Sequence, residues 1–215
     1  MKIYAISGLG ANELVFKHLE FPDGYEFEFI PWILPYQDET IQDYAKRMAE
    51  VIDDKEEFIL LGLSFGGMIA QEIARIKNPK KLLLFNTVRS HKEKPLWIRI
   101  NTCIKLYKYF PYSLLNDGQI VGYISRFTQF LNSNGPDLSK LYSMRENSYT
   151  RWAFEQVAHW ERTYELSTEL YRFHGMLDIV FPIWNIQGEK KVLLSGHLAV
   201  YVQADKVNKY LRKIL

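Results

Sequence analysis

Apolar positions along the chain follow two rhythms. Short runs rich in apolar residues cover 2–7, 25–30, 58–63, 82–85, 170–174 and 192–194, unbroken at 58–63 and 82–85. Runs of this length, bounded by glycine or polar turns, predict β-strands, and the run at 58–63 has no polar face, as in a central strand covered on both sides. Elsewhere apolar residues recur at helical spacing. Ile41, Tyr44, Ala45, Met48 and Ile52 predict an amphipathic helix over 39–53, and a second helix is predicted over 66–76. Val207, Tyr210, Leu211 and Ile214 share one face of a closing helix, and Asn12 is placed to cap a short helix after the turn Gly8-Leu9-Gly10. From 88 to 163 the strand rhythm is absent. Trp97, Ile100, Ile104 and Tyr107 form one helical stripe there, and Trp152, Gln156, Val157, Trp160 and Tyr164 follow another.

Strand–helix alternation predicts an α/β fold: a mostly parallel, six-stranded sheet with helices on both faces. The helical stretch inserted between two strands predicts a cap over one end of that sheet. Residues 1–87 and 164–215 then form the core, and residues 88–163 the inserted lid. Ligands in such sheets sit beyond the carboxyl ends of the strands, which is the end from which the insertion leaves.

The 215 residues are enough for one domain with an insertion, and their apolar content supports a substantial core. A net charge of +2 gives no general reason to expect nucleic acid or a membrane surface as partner. Cys103 is the only cysteine, so no intrachain disulfide forms. The apolar run at the N-terminus is broken by Ser7 and Gly8, too early for a signal-peptide core, and no run is long enough to span a bilayer. The cytoplasm is the expected location.

Gly62-Leu63-Ser64-Phe65-Gly66 places one serine where an apolar strand meets an amphipathic helix. Its small neighbours either help a helix pack on a strand or permit a turn so tight that only glycine fits, with Ser64 raised as a nucleophile. At the start of a helix, backbone N–H groups favour developing negative charge. A hydroxyl needs a base. Of His18, His91, His159, His174 and His197, only His197 directly follows a strand end in a free turn, Leu194-Ser195-Gly196-His197; the alternative is a histidine satisfied in its loop. The base in turn needs a carboxylate. Asp178 is an isolated acid among apolar residues in His174-Gly175-Met176-Leu177-Asp178-Ile179-Val180-Phe181-Pro182, as a buried, paired aspartate would be, or as one capping a turn.

With these stretches in the order Ser64, Asp178, His197, the chain resembles the α/β-hydrolase superfamily. Ser7-Gly8-Leu9-Gly10, Gly62–Gly67, His174–Asp178 with Pro182, and Gly196-His197 match its oxyanion loop, nucleophile elbow, acid loop and histidine loop. The resemblance implies Ser64 as nucleophile, His197 as general base and then acid, and Asp178 as orienter. It also implies an oxyanion hole from the backbone N–H groups of Leu9 and Phe65, with no metal and no organic cofactor. Ser7-Gly8 stands where the family often has His-Gly, a change of loop support more than of chemistry.

The expected activity is that of a serine hydrolase cleaving a small ester or thioester through an acyl-enzyme. A lyase or carbon–carbon bond hydrolase on the same triad, or a non-enzymatic binder of this fold, is the alternative. Among the aromatics of the insertion, Trp97, Trp152 and Phe154 are candidates to line a pocket for a small acyl substrate, while most of the others form the cap's own core. The cap's start carries Arg89, Lys92, Lys94, Arg99, Lys105 and Lys108 against one acid, Glu93. It is either a solvated helix face or an attraction for an anionic substrate.

Overall fold

In a computed structural model of the protein, residues 1–105 and 137–215 are described. Tyr107, Lys108 and the cap aromatics Tyr109, Phe110, Tyr112, Tyr123, Phe127 and Phe130 lie outside the described residues. Six strands form one sheet: β1 (Lys2–Ile6), β2 (Glu26–Phe29), β3 (Phe58–Leu63), β4 (Lys81–Phe85), β5 (Glu169–Gly175) and β6 (Lys191–Leu193). Their order is β2-β1-β3-β4-β5-β6, and every neighbouring pair is parallel.

The two-residue period of a strand divides the core in two. Tyr4, Ile6, Phe58, Leu60, Leu82 and Leu84 point into one apolar cluster. Their chain neighbours Ile3, Ala5, Ile59, Leu61, Leu63, Leu83 and Phe85 point into the other. Both faces are therefore buried, which is why these strands read as continuous apolar runs. On the first face lie α1 (Ile41–Met48) and α2 (Phe65–Lys77). Thr40 caps α1 by accepting from the Asp43 N–H, and a turn of 3-10 helix, Ala49–Val51, completes the predicted helix. Asn12 caps the short 3-10 helix Glu13–Phe16, which packs on the second face beside the C-terminal helix.

Between β4 and β5 the described chain carries α3 (Leu96–Ile104), α4 (Leu138–Leu141) and α5 (Asn147–His159). The last two helices, α6 (Ala199–Val202) and α7 (Ala204–Ile214), follow β6, and Val207 and Leu211 of α7 are fully buried. The α3 stripe is not the buried face that its spacing suggests. Trp97, Ile100 and Ile104 are about half exposed, and the helix buries Ile98 instead. Nor is the basic start of the insertion a uniformly solvated face. Glu93 and Lys94 are buried. Glu93 accepts from both terminal guanidinium nitrogens of Arg172 on β5, at 3.0 and 2.7 Å. Lys94 donates to the carbonyls of Ala158 and Trp160 at the C-terminal end of α5, where cations are favoured. Among the described residues no helix is long and apolar enough to cross a membrane.

Candidate active site

Ser64 stands between β3 and α2 with φ 54° and ψ −120°, a conformation that costs a non-glycine residue roughly 1–3 kcal/mol. Packing holds it there. A Cβ on Gly62 would come within 2.6 Å of the Gly67 Cα, and one on Gly66 within 2.5 Å of the Ile6 carbonyl oxygen and closer still to that of Ser7. The glycines are thus required for space, because α2 starts against the backbone at the end of β1. The turn is tied to β4 as well: the Ser64 N–H donates to the Phe85 carbonyl at 2.9 Å, and the Thr87 hydroxyl donates to the Ser64 carbonyl at 2.7 Å.

Beyond β5 the chain turns through Met176 and Leu177 to Asp178. Gly175 lets this loop lie against the histidine loop, since a Cβ there would sit 2.5 Å from the Ser195 carbonyl oxygen. The Met176 and Leu177 N–H groups donate to the carbonyls of Leu193 and Ser195 at 2.8 and 2.9 Å. These contacts bring the two loops together at the rim that carries Ser64. His197 Nε2 lies 2.8 Å from Ser64 Oγ, and His197 Nδ1 lies 2.9 Å from Asp178 Oδ2. The Phe181 ring packs edge-on against the imidazole.

Asp178 is buried, which by itself would raise its carboxyl. The bond to His197, the imidazole's charge, the amide of Asn86 and the Phe181 N–H more than offset this and hold the group below the ordinary carboxylate value. Oδ1 accepts from the Val180 and Phe181 N–H groups at 2.9 and 3.0 Å. Oδ2 accepts from Asn86 Nδ2 at 2.9 Å in addition to His197. His174 is the second imidazole here: its Nε2–H donates to the Phe181 carbonyl at 2.6 Å and lies 3.4 Å from Asp178 Oδ2. Burial lowers its affinity for a second proton. The other histidines lie elsewhere: His18 packs on Tyr201, His91 pairs with Glu161, and His159 is exposed at the end of α5.

The loop after β1 is braced by side chains. Ser7 Oγ donates to the Ala11 carbonyl at 2.5 Å and accepts from the Trp32 indole at 3.0 Å, and the Gly10 N–H donates to the Tyr149 hydroxyl at 3.2 Å. Leu9 and Phe65, the two predicted backbone donors, both border a cavity of about 400 Å³ that has Ser64 and His197 in its wall. Trp97 and Phe154 also line it, with Ile98, Val157, Val180 and Phe181. None of its described lining residues is Asp, Glu, Lys or Arg.

Trp152, a predicted pocket residue, does not line this cavity. Its ring is buried against Tyr44 and Phe65, and its indole N–H donates to the Glu39 carbonyl at 2.7 Å. It lies two positions before Phe154 on α5, so the two side chains leave the helix on different faces. Asn86 is the polar contact that the sequence reading missed. An asparagine after an apolar strand is an ordinary turn signal, and nothing local shows where its amide points.

No protein-family profile matches the sequence, and no curated protein matches it. Solved structures do. The thermophilic esterase from Thermogutta terrifontis is similar with a TM-score of 0.66 and 18% identity, over 100% of this chain and 89% of that one. The enol-lactonase from Burkholderia xenovorans gives 0.71 and 13%, over 99% and 90%. The epoxide hydrolase from Bacillus megaterium gives 0.65 and 12%, over 99% and 92%. The chain has the α/β-hydrolase fold.

Proposed function

We propose that this protein is a serine hydrolase cleaving an ester or thioester whose acyl part is apolar and uncharged. The reading is carried by one observation: the hydrogen-bonded series Ser64–His197–Asp178 ends on a hydroxyl in the wall of an apolar cavity. His197 Nε2 takes the Ser64 proton as Oγ bonds to the substrate carbonyl carbon, and the carbonyl π electrons move onto oxygen. Asp178 holds the Nδ1–H tautomer and balances the imidazolium. The N–H groups of Leu9 and Phe65 receive the oxyanion; that of Phe65 belongs to the first residue of α2, where N–H groups have no partner within the helix. The imidazolium then protonates the leaving alcohol or thiol as its bond to carbon breaks. Water, deprotonated by the same imidazole, then attacks the acyl carbon; as the carbon–Oγ bond breaks, the imidazolium returns the proton to Ser64 Oγ and the acid leaves.

In this reading residues 88–163 are a lid on the core of 1–87 and 164–215, and Trp97, Ile98, Phe154 and Val157 are among the lid residues in the cavity wall. The described lining favours an apolar acyl chain over the anionic substrate that the basic segment could attract, because a carboxylate would be desolvated there with no cation among the described lining residues to meet it. The likeness to an esterase and an enol-lactonase supports the same chemistry.

A fluorophosphonate probe tests the assignment. Labelling of the native protein and none of Ser64→Ala is expected, together with turnover of p-nitrophenyl esters that rises with acyl length until the cavity is filled. Equal labelling of both proteins, or no ester turnover by the native one, would overturn it.

A further inference from the structure

Asn86 follows the last residue of β4 and is fully buried, with φ 45°. Its Nδ2 donates to Asp178 Oδ2 at 2.9 Å and to the Gly196 carbonyl at 3.2 Å. Both partners are acceptors only, so they fix which end of the amide faces them. One side chain thus joins the end of β4, the acid loop and the residue before His197.

We propose that Asn86 is a positioning residue of the catalytic relay: its amide holds the Asp178 carboxylate and the His197 loop in register, so that the imidazole meets Ser64. The proposal rests on the serine-hydrolase reading above and extends it by one residue.

Two costs accompany this arrangement. The left-handed backbone is uncommon for a residue with a side chain, and the amide Oδ1 is buried without a hydrogen-bond partner among the described residues. The backbone alone does not require asparagine. Glycine takes this conformation with no strain, and aspartate takes it about as readily as asparagine. Of the three, only asparagine offers neutral N–H donors. Glycine would leave Asp178 Oδ2 and the Gly196 carbonyl each short of a bond, and aspartate would set a second carboxyl group against the first. Asn86 does not border the cavity. Its effect therefore passes through Asp178 and His197, and belongs to kcat rather than to substrate binding.

The test compares native protein, Asn86→Gly and Asn86→Asp on p-nitrophenyl butyrate across pH ~5–9, the range in which a histidine base titrates, with thermal unfolding of each. Asn86→Gly suits the backbone but forfeits two buried hydrogen bonds, so Tm should fall by several degrees with the protein still folded across the assay range, KM should stay within about twofold, and kcat should fall roughly 10- to 100-fold, as misplaced catalytic groups do. Asn86→Asp should move the acidic limb of kcat/KM to higher pH, because added negative charge beside Asp178 favours the imidazolium, which cannot act as base. This displacement is read from the active fraction and is not produced by a purely structural role. Native kcat and an unmoved acidic limb in both variants, with turnover still abolished by Ser64→Ala, would make Asn86 a turn residue and overturn the proposal while leaving the triad intact. Full turnover by Ser64→Ala would overturn the reading on which it rests.

Discussion

At the elbow, Ser64 is held by atoms that leave no room; at the acid loop, Asp178 is held by donors that leave no charge unmet. The elbow depends on close backbone contact, with Gly62 and Gly66 marking where α2 presses on β3 and on the end of β1. The acid loop contains no such squeeze at Asp178 itself. Its carboxylate is fixed by the Val180 and Phe181 N–H groups, the Asn86 amide and His197. Steric fixing is local, insensitive to pH and intolerant of one methyl group. Polar fixing tolerates volume and fails when a donor becomes an acceptor.

That contrast is open to attack from both sides. The largest expected effect is on the polar side. Asp178→Asn keeps the volume and the Oδ1 acceptor but turns the oxygen that faces the Asn86 and His197 N–H groups into a donor, so kcat should fall roughly 10⁴-fold with the wrong histidine tautomer. Stopped-flow turnover, alongside an unchanged far-UV spectrum, would check it; a loss under tenfold would show that the carboxylate is dispensable. On the steric side, Gly66→Ala forces a methyl group onto the Ile6 and Ser7 carbonyls and should destabilise the fold by about 3 kcal/mol or prevent folding. The urea midpoint measures it, and a midpoint equal to that of the native protein would remove close packing as the reason for glycine.

The smallest effect concerns a third anchorage, the buried Lys94 that ties down the end of α5. Burial pushes its ammonium from the ordinary 10.5 down to about 8. Between those values the unfolded chain keeps a proton that the folded chain has released, so stability rises with pH across this window and the charged form is carried at a cost below it. The neutral amine retains two N–H donors for the Ala158 and Trp160 carbonyls. Relative to Lys94→Met, the native protein should gain on the order of 1 kcal/mol between pH ~8 and ~10. Parallel urea curves for the two proteins at those pH values would check this, and an equal slope with pH in both would exclude Lys94 as its source.

Most of the architecture was legible in the chain. The β3 run at 58–63 and the β4 run at 82–85 are apolar because both sheet faces are covered, and Asn12 marks a helix start by the chemistry of its own side chain. The elbow was legible for a similar reason: a turn that tight excludes a side chain at the positions two before and two after Ser64, Gly62 and Gly66. Periodicity was a poorer guide on α3. It identified one apolar side of the helix, whereas the neighbours of the helix decided that Ile98 would be the buried residue.

What the sequence alone determined is what neighbouring residues impose on one another: six strands, the helices between them, the sharp turn at Ser64, and polar residues waiting at strand ends. The tertiary structure decided what those ends meet. It aimed the Asn86 amide at Asp178, turned Trp152 away from the cavity while Phe154 faced it, and buried Lys94 under α5. Steric limits act over a few bonds and leave their mark in local composition. A hydrogen bond between residues 92 positions apart exists only once parallel strands have brought their ends to a common rim.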